Sequence, residues 1–329
     1  MTDQVAGTAR GAWLSRKVIV ATGDQLPMCH AVSMVELTSG LMAVWYAGSY
    51  EGARDTVLFR SRLSADGVWT QPDVLLDLPG LPVGNPVLFT KDGTLWLFFV
   101  ILFGEWWTEA RIAAITSSDE GVTWSNPRII WDEQGFMTKT TPISVGGRMI
   151  LPVYDERSWC SMVLISRDDG VSWQLFGDSM GRGVTIQPKI IELADGRLLM
   201  YSRSTRGAVY YSLSYNGGLS WIASQPTDIP NPNSGLDLVR LRSGSLLLAC
   251  NDGERGRSRL SLLLSQDEGK TWPVRQVLED SEGEFSYPVI LEGQDGDIHV
   301  AYTSQRSKIV HVHIDQRWSE GAAAQTRGT

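Results

Sequence analysis

The sequence predicts an all-β protein, a six-bladed β-propeller, on three observations. A Gly-centred turn between two apolar runs occurs six times, at Gly40, Gly93, Gly147, Gly196, Gly244 and Gly296. A box reading Ser-x-Asp-x-Gly-x-Thr/Ser-Trp keeps step with it, at 117–124, 166–173, 214–221 and 265–272. Strand-like runs fill the intervals and no segment carries a helical period. A repeat of about 50 residues with four such runs selects a propeller over a sandwich.

The chain opens on an apolar strand, WLSRKVIVA at 13–21. Unit one holds Gly40 and a shortened box, Ser64-Ala-Asp66-Gly67-Val-Trp69. Units two and three hold Gly93 and Gly147, each followed by a complete box. Unit four shows the whole plan: IQPKIIEL, the turn Ala194-Asp195-Gly196-Arg197, LLMYSRS, AVYYSLS, then a box in which Asn216 replaces the Asp. Unit five repeats it around Gly244. Unit six, around Gly296, stops after HVHID without an outer strand. The N-terminal strand resembles the strands that follow the boxes, so it is expected to close unit six. Within a box the Asp or Asn side chain caps its own turn, Gly accepts positive φ, and Trp packs the hairpin down.

All 329 residues read as one domain, with about 1–11 and 320–329 expected to be loosely ordered. Hydrophobic residues at 43% and charged residues at 20% allow a large core and argue against disorder. No apolar run is long enough to cross a membrane, and the N-terminus lacks the basic and apolar regions of a signal peptide. Cys29, Cys160 and Cys250 are odd in number and far apart, which predicts free thiols and a cytoplasmic setting. His30, His299, His311 and His313 form no ligand set, so neither a metal nor a cofactor is expected. A net charge of -8 disfavours nucleic acid and anionic membranes as partners. The sequence carries no signal for an oligomeric state.

Up-and-down strands give every blade two opposite rims. The Gly turns and boxes share one rim, and chemistry-bearing residues collect on the other. First strands begin at His30, Asn85, Lys139 and Thr141, Gln187, the 234–237 stretch with Asp237, and Tyr287. Second strands end at Glu51, Glu105, Asp155, Arg203, Asn251 and Thr303, and nearby loops add Asp55, Arg206, Arg257, Arg259 and Arg306. Carboxylates, guanidiniums, a phenol and an imidazole around one channel mouth suit a pocket for a polar small molecule. Propeller rims are solvated anyway, so part of this set does no more than meet water.

Boxes, blade period and rim residues together resemble the sialidase superfamily over essentially the whole chain. Phe285-Ser286-Tyr287 matches the segment of the family's nucleophilic tyrosine, and Asp55 the position of its acid/base aspartate. Arg203 and Arg259 fall where the second and third carboxylate-binding arginines are expected, with Arg206 and Arg257 as local competitors. Two features depart from the family. Its first arginine opens blade one in Arg-Ile-Pro, where this chain reads Cys29-His30-Ala31. Its tyrosine-assisting glutamate is here Gln187. The chain looks closer to a sialidase-like subgroup marked by Cys-His-Ala, Glu-Gly-x-x-Asp at 51–55, Asn-Pro-Val, Asn-Pro-Asn-Ser-Gly at 231–235 and Ser-Tyr-Pro.

The resemblance implies an exo-acting glycoside hydrolase on an anionic or highly polar sugar, with no cofactor. Tyr287 would attack, Asp55 would protonate the leaving oxygen, and Glu51 or His30 would help where Gln187 cannot take a proton. Arg203, Arg259 and Arg306 would hold an anion, with Asn85, Lys139, Thr141, Asp237 and Asn251 lining the pocket. Two other readings stand beside it: a uronate lyase with Tyr287 and His30 as base and acid, and a non-catalytic sugar-binding propeller.

Overall fold

The computed structural model describes residues 13–21, 27–177 and 181–318. The ends expected to be loose, 1–11 and 320–329, lie outside the described residues. The chain opens on β1 (Trp13–Ala21). Blade one is β2 (Met28–Leu37), β3 (Gly40–Gly48), β4 (Val57–Arg62) and β5 (Asp73–Leu76). Blade two is β6 (Val83–Lys91), β7 (Thr94–Leu102), β8 (Ala110–Ser117) and β9 (Arg128–Trp131). Blade three contains β10 (Phe136–Met137), β11 (Ile143–Val145), β12 (Arg148–Asp155), β13 (Cys160–Ser166) and β14 (Gln174–Phe176). Blade four is β15 (Thr185–Glu192), β16 (Leu198–Ser204), β17 (Ala208–Ser214) and β18 (Gln225–Pro230). Blade five is β19 (Asp237–Arg240), β20 (Leu246–Cys250), β21 (Arg259–Ser265) and β22 (Val274–Asp280). Blade six is β23 (Phe285–Glu292), β24 (Ile298–Ser304) and β25 (Lys308–Ile314), with β1 paired antiparallel outside β25.

Every strand pair within a blade is antiparallel, and β2 packs against both β6 and β23, so the ring is closed. Helix among the described residues is confined to one 3-10 turn at Trp107–Glu109 and to Arg317 and Trp318 at the end of the described chain. Middle strands such as TLWLFFVIL and LLLAC are apolar throughout because each blade is covered on both faces by its neighbours. The buried hydrophobics divide into six clusters, one between each pair of adjacent blades.

Each box tryptophan enters the layer between its own blade and the preceding one. In the box at 117–124, Asp119 accepts from the Thr123 N–H at 2.9 Å and from both neighbouring hydroxyls at 2.6 Å. Gly121 N–H donates to Ser117 Oγ at 2.7 Å, and Trp124 Nε1 donates back to Gly121 O at 3.1 Å. Trp69 and Trp173 are buried, whereas Trp124, Trp221 and Trp272 are only partly so, because the box sits at the rim and one ring edge meets water.

Blade three departs from the four-strand plan. Its inner strand is split between β10 and β11, with Thr138 to Pro142 unpaired between them. Pro142 has no N–H to give the ladder. The Thr138 hydroxyl substitutes, donating to Pro152 O at 3.0 Å. Lys139 lies in this gap.

Inner strands of four blades carry a bulge at the channel mouth. Register shifts fall between His30 and Ser33, Gly84 and Val87, Ile186 and Lys189, and Ser286 and Val289. The first bulged residue is left-handed each time: Ala31, Asn85, Gln187 and Tyr287, with φ of 54°, 45°, 54° and 56°. Non-glycine residues adopt this region at a cost, and bulges re-aim side chains. Asn85, Gln187 and Tyr287 are each followed by proline, so the X-Pro steps noted in the sequence mark these bulges.

Candidate active site

The bulges deliver Asn85, Gln187 and Tyr287 to one point at the mouth. Gln187 Nε2 donates to the Tyr287 hydroxyl at 2.9 Å and to the Tyr154 hydroxyl at 3.3 Å. Asn85 Nδ2 also donates to Tyr154, at 3.2 Å. From β16, Arg203 Nη1 donates to Gln187 Oε1 at 3.1 Å and to the Tyr287 hydroxyl at 3.3 Å. Tyr287 oxygen therefore receives two donors, one of them charged. Burial pushes the neighbouring Tyr154 and Tyr46 phenols well above their usual range.

Cations surround the Tyr287 ring. Lys139 Nζ stands 5.2 Å and the Arg257 guanidinium 5.9 Å from its centroid. Arg257 is paired with Glu284 at 3.0 Å, and Lys189 with Asp237 at 2.9 Å. Lys139 and Arg203, 6% and 8% exposed, form no ion pair among the described residues. Arg203 Nε is buried without a hydrogen-bond partner. Burial pulls the Lys139 ammonium down to about 8, against the attraction of Asp237. Buried charges are ordinarily paired, so this mouth is short of an anion.

His30 is fully buried, its ring centroid 4.2 Å from that of Tyr287. Its Nδ1 is 3.0 Å from Thr303 Oγ1, and Nε2 has no partner. Burial holds it well below the usual histidine range, with Arg306, Arg257, Lys139 and Arg203 adding to the effect. His30 precedes the bulge, so the blade-one position equivalent to Gln187 and Tyr287 belongs to Ala31 and offers no functional group.

Other candidates are placed differently. Asp55 is exposed, and its carboxylate accepts from the Ser49 N–H at 3.1 Å and from the Ser49 hydroxyl. Those bonds hold it below the usual carboxylate range. Glu51 is paired with Arg306, not with Tyr287. Arg259 opens β21 and faces Asp252 at 3.5 Å, while Arg257, in the loop before it, occupies the mouth. Arg206 is exposed. Asp237 accepts from Ile290 N–H at 2.8 Å besides holding Lys189, and Asn251 Nδ2 bonds the carbonyls of Arg259 and Phe285 at 2.7 and 2.8 Å. Both are spent on the scaffold. Thr141 is partly buried beside the gap in blade three.

Three participants escaped the sequence reading. Tyr154 ends a buried strand beside Asp155, and it is Tyr154 that meets Gln187. Trp159, itself left-handed at φ 49°, lies 5.8 Å from the Arg203 guanidinium. Glu156 is half-buried within the field of Arg203 and Glu51, and burial raises its carboxyl above the usual range. The grouping with metal-ligand spacing among the described residues, Asp295, Asp297 and His313, is on the opposite rim. Its carboxylates already accept from His313 and from backbone N–H groups.

Comparison with known proteins places these features in context. The profile of the BNR repeat-like domain family matches residues 39–300. A sialidase from Micromonospora viridifaciens is 26% identical over 236 residues, covering 64% of this chain and 36% of that protein. An anhydrosialidase from Macrobdella decora is 23% identical over 216 residues, covering 56% of this chain and 28% of that protein. The chain thus spans about a third of the length of these curated relatives. The Hadza microbial sialidase Hz136 superposes with a TM-score of 0.79 at 20% identity, covering 92% of this chain and 69% of that one. At that identity the superposition speaks for the fold alone.

Proposed function

The chain belongs to the BNR repeat-like domain family and is a sialidase-like propeller, and from that premise we propose that its channel mouth is a glycoside hydrolase site for an anionic sugar. One observation carries the reading: a tyrosine hydroxyl receives two N–H donors inside a buried group of cations that lacks its anion. A phenol is a weak nucleophile at neutral pH because its proton leaves reluctantly. Two donors on the oxygen stabilise the phenolate that forms as the proton departs, and Arg203 contributes a full charge to this.

Tyr287 oxygen attacks the anomeric carbon as the glycosidic C–O bond breaks, and a carboxyl protonates the leaving oxygen. Water then cleaves the tyrosyl–sugar bond. An attacking phenol suits a sugar acid, whose own carboxylate would repel a carboxylate nucleophile. Lys139, Arg203 and Arg257 attract that carboxylate. Two acids compete for the proton transfer. Asp55 has the position in blade one but is held low by Ser49, whereas Glu156 retains its proton to higher pH. His30, neutral with a free Nε2, is better placed than Glu51 to relay the phenol proton, since Glu51 is engaged by Arg306.

The contact between His30 and Tyr287 also favours a second reading, elimination on a uronate with the phenol and imidazole as base and acid. Product analysis separates the two. A hydrolase releases a reducing sugar, and a lyase releases an unsaturated sugar with ultraviolet absorbance. Tyr287→Phe should lower turnover by about a thousandfold or more while leaving sugar binding and melting temperature near wild type. Wild-type turnover in that variant would remove the tyrosine from the chemistry. Binding with neither product, in the wild-type protein, would make this a carbohydrate-binding propeller.

A further inference from the structure

Arg306 occupies a turn that its own side chain does not favour. The turn between β24 and β25 closes through Ser307 N–H to Ser304 O at 3.1 Å. Its two central residues, Gln305 and Arg306, have φ of 54° and 50°. This is the type I′ arrangement, which strongly prefers Asn-Gly or Gly-Gly because both residues are left-handed. A Gln-Arg pair there is conformationally costly and persists only where surrounding contacts over-determine it. Gln305 is held through the Glu284 N–H at 3.3 Å and Glu282 O at 3.4 Å.

The strained turn carries the Arg306 guanidinium to blade one. Arg306 O accepts from Cys29 N–H at 2.8 Å, beside the blade-one bulge whose leading residue is Ala31. Its Nε bonds Glu284 at 3.1 Å and its Nη1 bonds Glu51, while Nη2 makes no hydrogen bond among the described residues. The side chain is 35% exposed, so it is not sealed in by these two carboxylates. Arg306 is also the first among the cations acting on His30. Glu284 joins it to Arg257, which faces the Tyr287 ring.

We propose that Arg306 is a substrate-binding residue that supplies, from the blade-six hairpin, the carboxylate-holding cation that Cys29-His30-Ala31 leaves out of blade one. It completes a set from blades four, five and six: Arg203, Arg257 and Arg306. Glu51 and Glu284 aim the fork and balance its charge while no ligand is bound. The proposal rests on the anionic-sugar reading of the site.

The test measures calorimetric binding of N-acetylneuraminate and of glucuronate, each against its analogue with the carboxylate reduced to an alcohol. Wild-type protein should prefer at least one acid over its alcohol by about tenfold or more. Arg306→Gly should lose that preference with no fall in melting temperature, since glycine relaxes the turn. Arg306→Lys, which keeps the charge and loses the fork, should fall between them. The double variant Gln305→Asn/Arg306→Gly gives the turn its favoured residues and separates lost folding from lost binding. Acid preference lost in that variant at wild-type melting temperature supports the proposal. Acid preference retained there reduces Arg306 to a hairpin latch and overturns the proposal while the site reading stands. A wild-type protein that binds no acid over its alcohol overturns both.

Discussion

Lys139 is an amine buried without a counter-ion, beside a phenol that accepts from Gln187 and Arg203. Its depressed pKa of about 8, caused chiefly by burial, makes anion binding pH-dependent in one direction. Below about 8 the ammonium is present and attracts a carboxylate, and as pH rises through that value the attraction fades. Affinity for a sugar acid should therefore drop across this interval, and Lys139→Met should remove the inflection while weakening binding at neutral pH by about tenfold. An unchanged pH profile in Lys139→Met would place the lysine outside the binding site. Tyr287, Gln187, Arg203 and Lys139 were legible in the sequence because rim position follows from the blade repeat. Arg257 and Arg259 were not separable that way. Arg259 is fixed by its strand toward Asp252, while Arg257 lies in a loop set by tertiary contacts such as that of Asn251. The surroundings of Asp55 were not readable for a similar reason, since a backbone N–H and a hydroxyl six residues upstream bond its carboxylate.

Blade count, box positions and blade order were readable because each is a local pattern repeated along the chain. The split inner strand of blade three and the four bulges were not, since the split and three of the bulges depend on which ladder bonds a proline leaves unmade, and the bulge at Ala31 has no proline to mark it. Blade six adds another feature that spacing alone did not reveal. Trp69 Nε1 donates to His311 Nδ1 at 3.3 Å, and His311 Nε2 lies 3.0 Å from His299 Nδ1. His299 stacks on His313 at 4.4 Å, and His313 meets Asp297 at 2.8 Å. Burial, then the neighbouring histidines, lower His299 to about 4 and His311 to about 3, with Lys17 acting the same way on His311 and Asp295 and Asp297 opposing it on His299. Both folded values lie below the unfolded value of about 6.5, so this stability is complete above that pH and is lost as pH falls toward 4 and 3. Melting temperature should decline over that range, and His299→Gln/His311→Gln should flatten the decline. An equally steep decline in the double variant would assign acid sensitivity to other groups.

At the scale of the whole molecule, the ring gives each blade the same two rims and loads them unequally. Boxes and Gly turns stabilise one rim, and the other gathers side chains from blades one to six around a single tyrosine. The fold does not by itself license a reaction; the proposed one rests on the channel-mouth geometry, whose central element is the Tyr287 hydroxyl. The direct measurement is covalent trapping. The protein is incubated with a fluorinated glycosyl fluoride of a sugar acid, which slows breakdown of a glycosyl–enzyme bond, and the labelled peptide is mapped by mass spectrometry. The account predicts one sugar attached to the peptide containing Tyr287 and no label in Tyr287→Phe. Label on Asp55, Glu51 or Glu156, or continued turnover with the Tyr287 peptide unmodified, would contradict it.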